Sequence, residues 1–146
     1  MFVVDSNVLL HAVNAASPHH VTAKALLSDR LGGVRPIFLT WGIAYEFLRV
    51  ATHRAVFPRP MTLADAIDFL HLLIDNPRVE VLAETPAHVT LLREAANRMP
   101  SLSGSVLHDL HTALLMREWG VTDIVTEDAD FHKFEGIRPE NPFLKA

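Results

Sequence analysis

The chain opens on a short apolar run that stops at an acid, MFVVD, and this pattern predicts a strand ending near Asp5. Ser6 or Asn7 can then cap a helix over NVLLHAV. Residues 19–31 carry Val21, Ala25 and Leu26 at helical spacing, and Gly32 and Gly33 stop that helix. IFLT (37–40) reads as a second strand. From Trp41 the period turns helical, with Trp41, Ala44, Tyr45 and Leu48 as the apolar stripe, until FPRP (57–60) breaks it. A helix over 62–75 begins at a Thr62 cap, and VEVL (79–82) is a third strand. A further helix over 86–98 opens on proline. Ser103 or Ser105 starts the next helix, which runs to Trp119 and ends at Gly120. DIVT (123–126) is a fourth strand, a helical turn follows Asp128, and the tail IRPENPF adds one edge strand.

Strands of about four residues alternate with helices of about a dozen, the pattern of a parallel, three-layer α/β sheet. There is no internal repeat or linker, so a single domain over 1–146 is expected. A hydrophobic fraction of 49% and a charged fraction of 21% supply a core and exclude a disordered chain. With no cysteine, disulfides and thiolate metal sites are excluded, which fits a reducing cytoplasm. The acid at position 5 and the lack of a basic leader argue against a signal peptide, and AIDFLHLLI (66–74) is too short to span a membrane. The net charge of −4 rules out binding nucleic acid by bulk positive charge, yet it permits an RNA enzyme whose excess acids form a metal site.

Asp5 and Asp128 fall at or just past strand ends, where open parallel sheets build their sites. Each is also a good helix N-cap, so neither alone decides between a structural and a functional role. Glu46, Arg49 and His53 share the polar side of their helix, where a Glu–Arg pair on a solvated face is the plain alternative. Asp109 is harder to dismiss. It sits in SVLHDLHTALLM among Val106, Leu107, Leu110, Ala113 and Leu114, near a helix N-terminus. An unpaired carboxylate there costs several kcal/mol or takes up a proton, so it needs a donor such as Thr112 or a cation. Four carboxylates in one cleft repel one another unless cations fill it, and hard oxygen ligands select Mg²⁺ or Mn²⁺ over zinc.

The stretches VVDSNVLL, YEFLRV, LHDLHTALL and VTEDADF, followed by GIRPENPF, resemble PIN-domain toxins of the VapC family over essentially the whole length. The resemblance implies a Rossmann-like α/β/α PIN fold with a central parallel sheet of four to five strands. It implies a Mg²⁺-dependent endoribonuclease, with Mn²⁺ as a plausible substitute, and metal-activated water leaving 3′-hydroxyl and 5′-phosphate ends. It further implies a homodimer and a VapB-like antitoxin partner. Carried onto this chain, the family's four acids fall on Asp5, Glu46, Asp109 and Asp128. Asp5, Asp109 and Asp128 would hold the main ion, with Glu46 acting directly or through water. Asp130 would be an accessory acid, and Ser6, Asn7 and Thr126 supporting polar residues.

Other features compete or add. Arg49, His53, Arg54 and Arg59 run past the Glu46 helix and are candidates for the RNA backbone, against a reading as scattered solvated charge. Nine histidines, including His108 and His111 on one helix and adjacent His19 and His20, raise a zinc reading; packing and surface roles account for most of them. His108–Asp109 also suggests an HD-domain phosphohydrolase, which predicts an all-helical domain. A haloacid-dehalogenase phosphatase needs an acid where Asn7 stands. Finally, the chain can be read mainly as a binding module: the AIDFLHLLI helix can meet a second copy, and a groove near the first helices can take an antitoxin's amphipathic segment.

Overall fold

The computed structural model describes residues 1–144, so the last two positions of the expected domain lie outside the described residues. The elements run β1 (Phe2–Val4), α1 (Ser6–Val13), α2 (His20–Gly32), β2 (Ile37–Thr40), α3 (Trp41–Ala51) and α4 (Leu63–Ile74). There follow β3 (Val79–Leu82), α5 (His88–Arg98), α6 (Val106–Glu118), β4 (Asp123–Val125), a 3₁₀ turn (Ala129–Lys133) and β5 (Arg138–Glu140). All strand pairings are parallel, in the order β3-β2-β1-β4-β5. The all-helical alternative is thereby overturned.

β1 is the central strand, and Phe2, Val3 and Val4 are all buried, as expected where helices cover both faces. The chain steps outward from β1 through β2 to β3, then returns to the other side of β1 as β4. Right-handed crossovers place α1–α4 over one face and α5–α6 over the other. The two layers touch where α3 meets α6. The reversal of strand order lies between β1 and β4, so the crevice forms beyond their carboxyl ends. β5, like β3, is an edge strand, and its Pro139 suits an edge.

Three local readings are corrected. The N-cap of α1 is Asp5 rather than Ser6 or Asn7: its carboxylate accepts from the Ser6 N–H at 2.7 Å. α5 begins at His88, two residues later than the proline at position 86 suggested. On α3 the buried residues are Ile43, Ala44, Phe47 and Ala51, while Trp41 and Tyr45 are 55% and 69% exposed. The apolar stripe is therefore rotated from the expected one. The helix offers apolar residues on two adjoining sides, and the sheet takes the side that carries Phe47. Thr62 caps α4 as expected, accepting from Asp65 N–H. Ser105 holds the cap position of α6 but makes no side-chain cap bond.

Candidate active site

A cleft of about 580 Å³ opens at the β1/β4 crevice and is lined by Asp5, Glu46, Asp109, Asp128 and Asp130. All five acids singled out from the sequence thus meet in one place. Asp5 arrives from the end of β1, Glu46 from α3, Asp109 from the first turn of α6, and Asp128 and Asp130 from the turn after β4. Carboxylate oxygens of Asp109, Asp128 and Asp130 lie within 4.8 Å of one another. Asp5 and Glu46 line the same cleft outside that tightest group. Asp130, expected as an accessory, is therefore among the closest three.

Thr126 organises the floor. Its hydroxyl donates to Asp5 Oδ2 at 2.6 Å and accepts from Asn7 Nδ2 and the Asp128 N–H, both at 2.9 Å. Asn7 Nδ2 also donates to Asp5 Oδ2 at 2.8 Å. These bonds fasten the loop after β4 to the start of α1, and so fix Asp5 relative to Asp128. Asp128 in turn caps the 3₁₀ turn by accepting from Asp130 N–H at 2.8 Å. Capping and cleft-lining, weighed as alternatives for Asp5 and Asp128, hold together: one carboxylate oxygen caps while the group still faces the cleft.

Asp109 differs from the rest. Among the described residues it accepts no hydrogen bond, and Thr112, the expected local donor, does not reach it. Burial, followed by the charges of Asp128, Asp5, Asp130 and Glu46, pushes its carboxyl up to about 7. Burial also raises Asp5, opposed by its bonds from Thr126 and Ser6. Both shifts have the sign that burial gives a carboxyl, and neighbouring carboxylates add to it, most at Asp109. The donor set is all carboxylate oxygen with one member unpartnered, which fits a hard divalent ion.

The positive groups are placed unevenly. Arg49 lines the cleft, but its guanidinium is tied to Glu46 by bonds of 2.7 and 3.2 Å. The intrahelical pair and the cleft position thus coexist. His53, Arg54 and Arg59 are exposed on the turn beyond α3, outside the cleft lining. Sequence reasoning missed Lys133, which pairs with Asp130 from one turn later, and Glu127, which reaches the cleft rim and meets His11 Nε2 at 3.0 Å. Lys133 was findable from its i, i+3 spacing to Asp130; the Glu127–His11 contact, far apart in sequence, carried no such signal.

The chain matches the PIN domain family over residues 2–137. A ribonuclease of Mycobacterium tuberculosis, VapC48, is 34% identical over 139 residues, covering 95% of each chain. Among solved structures, Mycobacterium tuberculosis VapC20, described as a sarcin-ricin loop cleaving toxin, superposes with a TM-score of 0.67 at 20% identity, over 95% of this chain and 100% of that one. VapBC2 from Rickettsia felis, bound to a DNA fragment from its promoter, gives 0.62 at 15% identity, over 96% and 97%. The structural likenesses speak for the fold, and the sequence matches carry the kinship further. A parallel sheet that gathers its acids where strand order reverses, matched over nearly its whole length, has one family reading: the chain belongs to the PIN domain family, among the relatives of the VapC ribonucleases.

Proposed function

We propose that this chain is a metal-dependent endoribonuclease and the toxin of a type II toxin–antitoxin pair, acting in the cytoplasm as a single domain over residues 1–146. The observation that carries the reading is the meeting of Asp5, Asp109, Asp128 and Asp130 in one cleft with Asp109 unpartnered. Asp5, Asp109 and Asp128 hold the ion, with Asp130 beside them and Glu46 acting directly or through water. Mg²⁺ is the resident ion and Mn²⁺ its working substitute, because the ligands are hard oxygens. When bound, the ion supplies a water activated for in-line attack on phosphorus and offsets charge on the leaving oxygen. Thr126 and Asn7 keep Asp5 aimed into the cleft, and Ser6 holds its second oxygen through the backbone N–H. Arg49 exchanges its Glu46 partner for the RNA backbone at the cleft wall, and His53, Arg54 and Arg59 extend that contact along the turn.

The similarity to VapBC2 supports a VapB-like antitoxin as partner. A groove of about 180 Å³, lined by Leu10, Val50, Val56 and Phe57, adjoins the cleft and shares Asn7 and Glu127 with it. An amphipathic segment lying there would end beside the carboxylates. α4 buries Ala66, Leu70 and Leu73 but leaves Ile67 and Leu72 in solvent, which favours a second copy of the chain as a further partner.

The test is cleavage of a defined RNA by purified protein in Mg²⁺. Asp5→Asn and Asp109→Asn should each lower the rate by more than the about 10–100-fold that loss of an outer-shell partner costs. Unchanged cleavage by both variants, with the fold intact by circular dichroism, would overturn the assignment.

A further inference from the structure

A second cluster of metal-binding side chains lies outside the carboxylate cleft, and it has different chemistry. Glu84 stands in the loop between β3 and α5, His88 is the first residue of α5, and His111 belongs to α6. One nitrogen from each imidazole and one oxygen of Glu84 lie within 4.8 Å of one another. His111 Nε2 is 2.6 Å from Glu84 Oε1, and the two imidazoles meet edge to face with centroids 5.5 Å apart. His111 is two positions beyond Asp109. At 3.6 residues per turn the two point to nearly opposite sides of α6, so the clusters share a helix without sharing a ligand.

Behind His88 stands a buried anchor. Glu118 Oε2 is 2.7 Å from His88 Nδ1, and the Glu118 side chain is only 1% exposed. Its other oxygen accepts from the backbone N–H and hydroxyl of Thr85, at 2.9 and 2.6 Å. A carboxylate held this way accepts the Nδ1 proton and leaves the lone pair on Nε2, the tautomer and orientation that a metal-ligating histidine requires. A surface His–Glu ion pair has no need for a buried second carboxylate fixed by two further bonds.

We propose that Glu84, His88 and His111 form a second divalent-metal site, selective for a zinc-class ion, with Glu118 as its positioning residue. Two imidazoles and one carboxylate, with a fourth position for water, match zinc preferences, and imidazole ligands disfavour Mg²⁺. Donor atoms around a tetrahedral zinc, with bonds of about 2.0–2.1 Å, sit roughly 3.3 Å apart. The Glu84–His111 pair therefore opens by less than about an ångström, an adjustment that the half-exposed Glu84 side chain allows. The ion would tie the β3–α5 loop and α5 to the helix that carries Asp109. It would also brace the cleft wall: a Cβ on Gly42 would stand 3.2 Å from His111 Nδ1, and Gly42 lines the cleft.

The experiment is a calorimetric titration of Zn²⁺ into untagged, metal-stripped protein held in excess Mg²⁺. One Zn²⁺ per chain should bind with micromolar or tighter affinity. His88→Gln and His111→Gln should each weaken it more than Glu118→Gln, which should cost about 10–100-fold. Asp128→Asn should leave it unchanged. For a readout that needs no folded variant, Zn²⁺ should shift the imidazole ¹⁵N resonances of His88 and His111 in the wild-type chain and spare those of His19 and His20. Absence of binding, binding indifferent to the histidine substitutions, binding lost in Asp128→Asn, or ¹⁵N shifts confined to other histidines would each overturn the proposal.

Discussion

β4 has an aspartate near each end, and the two live in opposite electrostatic worlds. At the strand's start, Asp123 receives Arg138 Nε at 2.8 Å and Arg35 at 3.0 Å. Burial pulls its carboxyl up, but the Arg138 hydrogen bond and charge, with Arg35 and Thr122, outweigh it and hold the group below the usual range. Past the strand's other end, Asp128 shares its cleft with Asp109, Asp130 and Asp5, while Arg49 is tied to Glu46 and Lys133 to Asp130. A carboxylate with its own arginines is structural. A group of carboxylates whose mutual repulsion the protein leaves in place has the chemistry to hold a cation.

Removing charge at the two ends should separate them sharply. The largest expected effect is on Asp109→Asn, which should reduce RNA cleavage by well over about a hundredfold, since in the proposed function it deletes a ligand rather than an outer-shell partner. Thr126→Val comes next: with Asp5 no longer held by the hydroxyl, cleavage should fall about 10–100-fold, read as a higher Mg²⁺ requirement in the same assay.

Metal should stabilise the wild type by about 2.7 kcal/mol when Mn²⁺ is about a hundredfold above its Kd. Differential scanning fluorimetry should show that shift lost in Asp109→Asn and kept in Asp123→Asn; the reverse would dissolve the contrast between the two ends. A pH series sharpens it further. The raised Asp109 carboxyl means that the metal-free fold binds more protons than the unfolded chain between the ordinary aspartate value and about 7. That contribution to stability is complete below the ordinary value and is lost as pH rises through about 7. Urea denaturation in a chelator should show this decline in wild type and a flatter profile in Asp109→Asn. Asp123 has the opposite sign, with stability lost as pH falls through its lowered folded value. The smallest effect is on Asp123→Asn itself, about 1 kcal/mol or less, because its arginines are solvent-screened. RNA cleavage should not change with it.

Much of this was legible in order along the chain. Strands β2 and β3 fall on the expected residues because Gly, Pro and turn residues precede both, with Thr40 capping the helix that ends β2 and Pro86 following β3. Asp5, Asp128 and Asp109 were legible because strand ends in a parallel sheet are where sites form, and because Asp109 sits in a run too apolar to leave it unpaired; Glu46 and Asp130 were named as site residues only by the family resemblance. The stripe on α3 was not. Its period fits Trp41 and Tyr45 as well as Ile43 and Phe47, and periodicity cannot rank two adjoining apolar sides. The histidines show the same limit. His108 and His111 drew attention by spacing, yet His111 meets His88 and Glu84, from other elements.

The sequence by itself determined the alternation of strand and helix, the handedness of the crossovers and which carboxylates lay at element ends, because these follow from local sterics and hydrophobic period. Only the tertiary structure decided which acids keep an arginine and which face one another, and which side of α3 is buried. Those outcomes depend on distances between residues far apart in the chain, and electrostatic energy is a function of distance through space, not of position along the backbone.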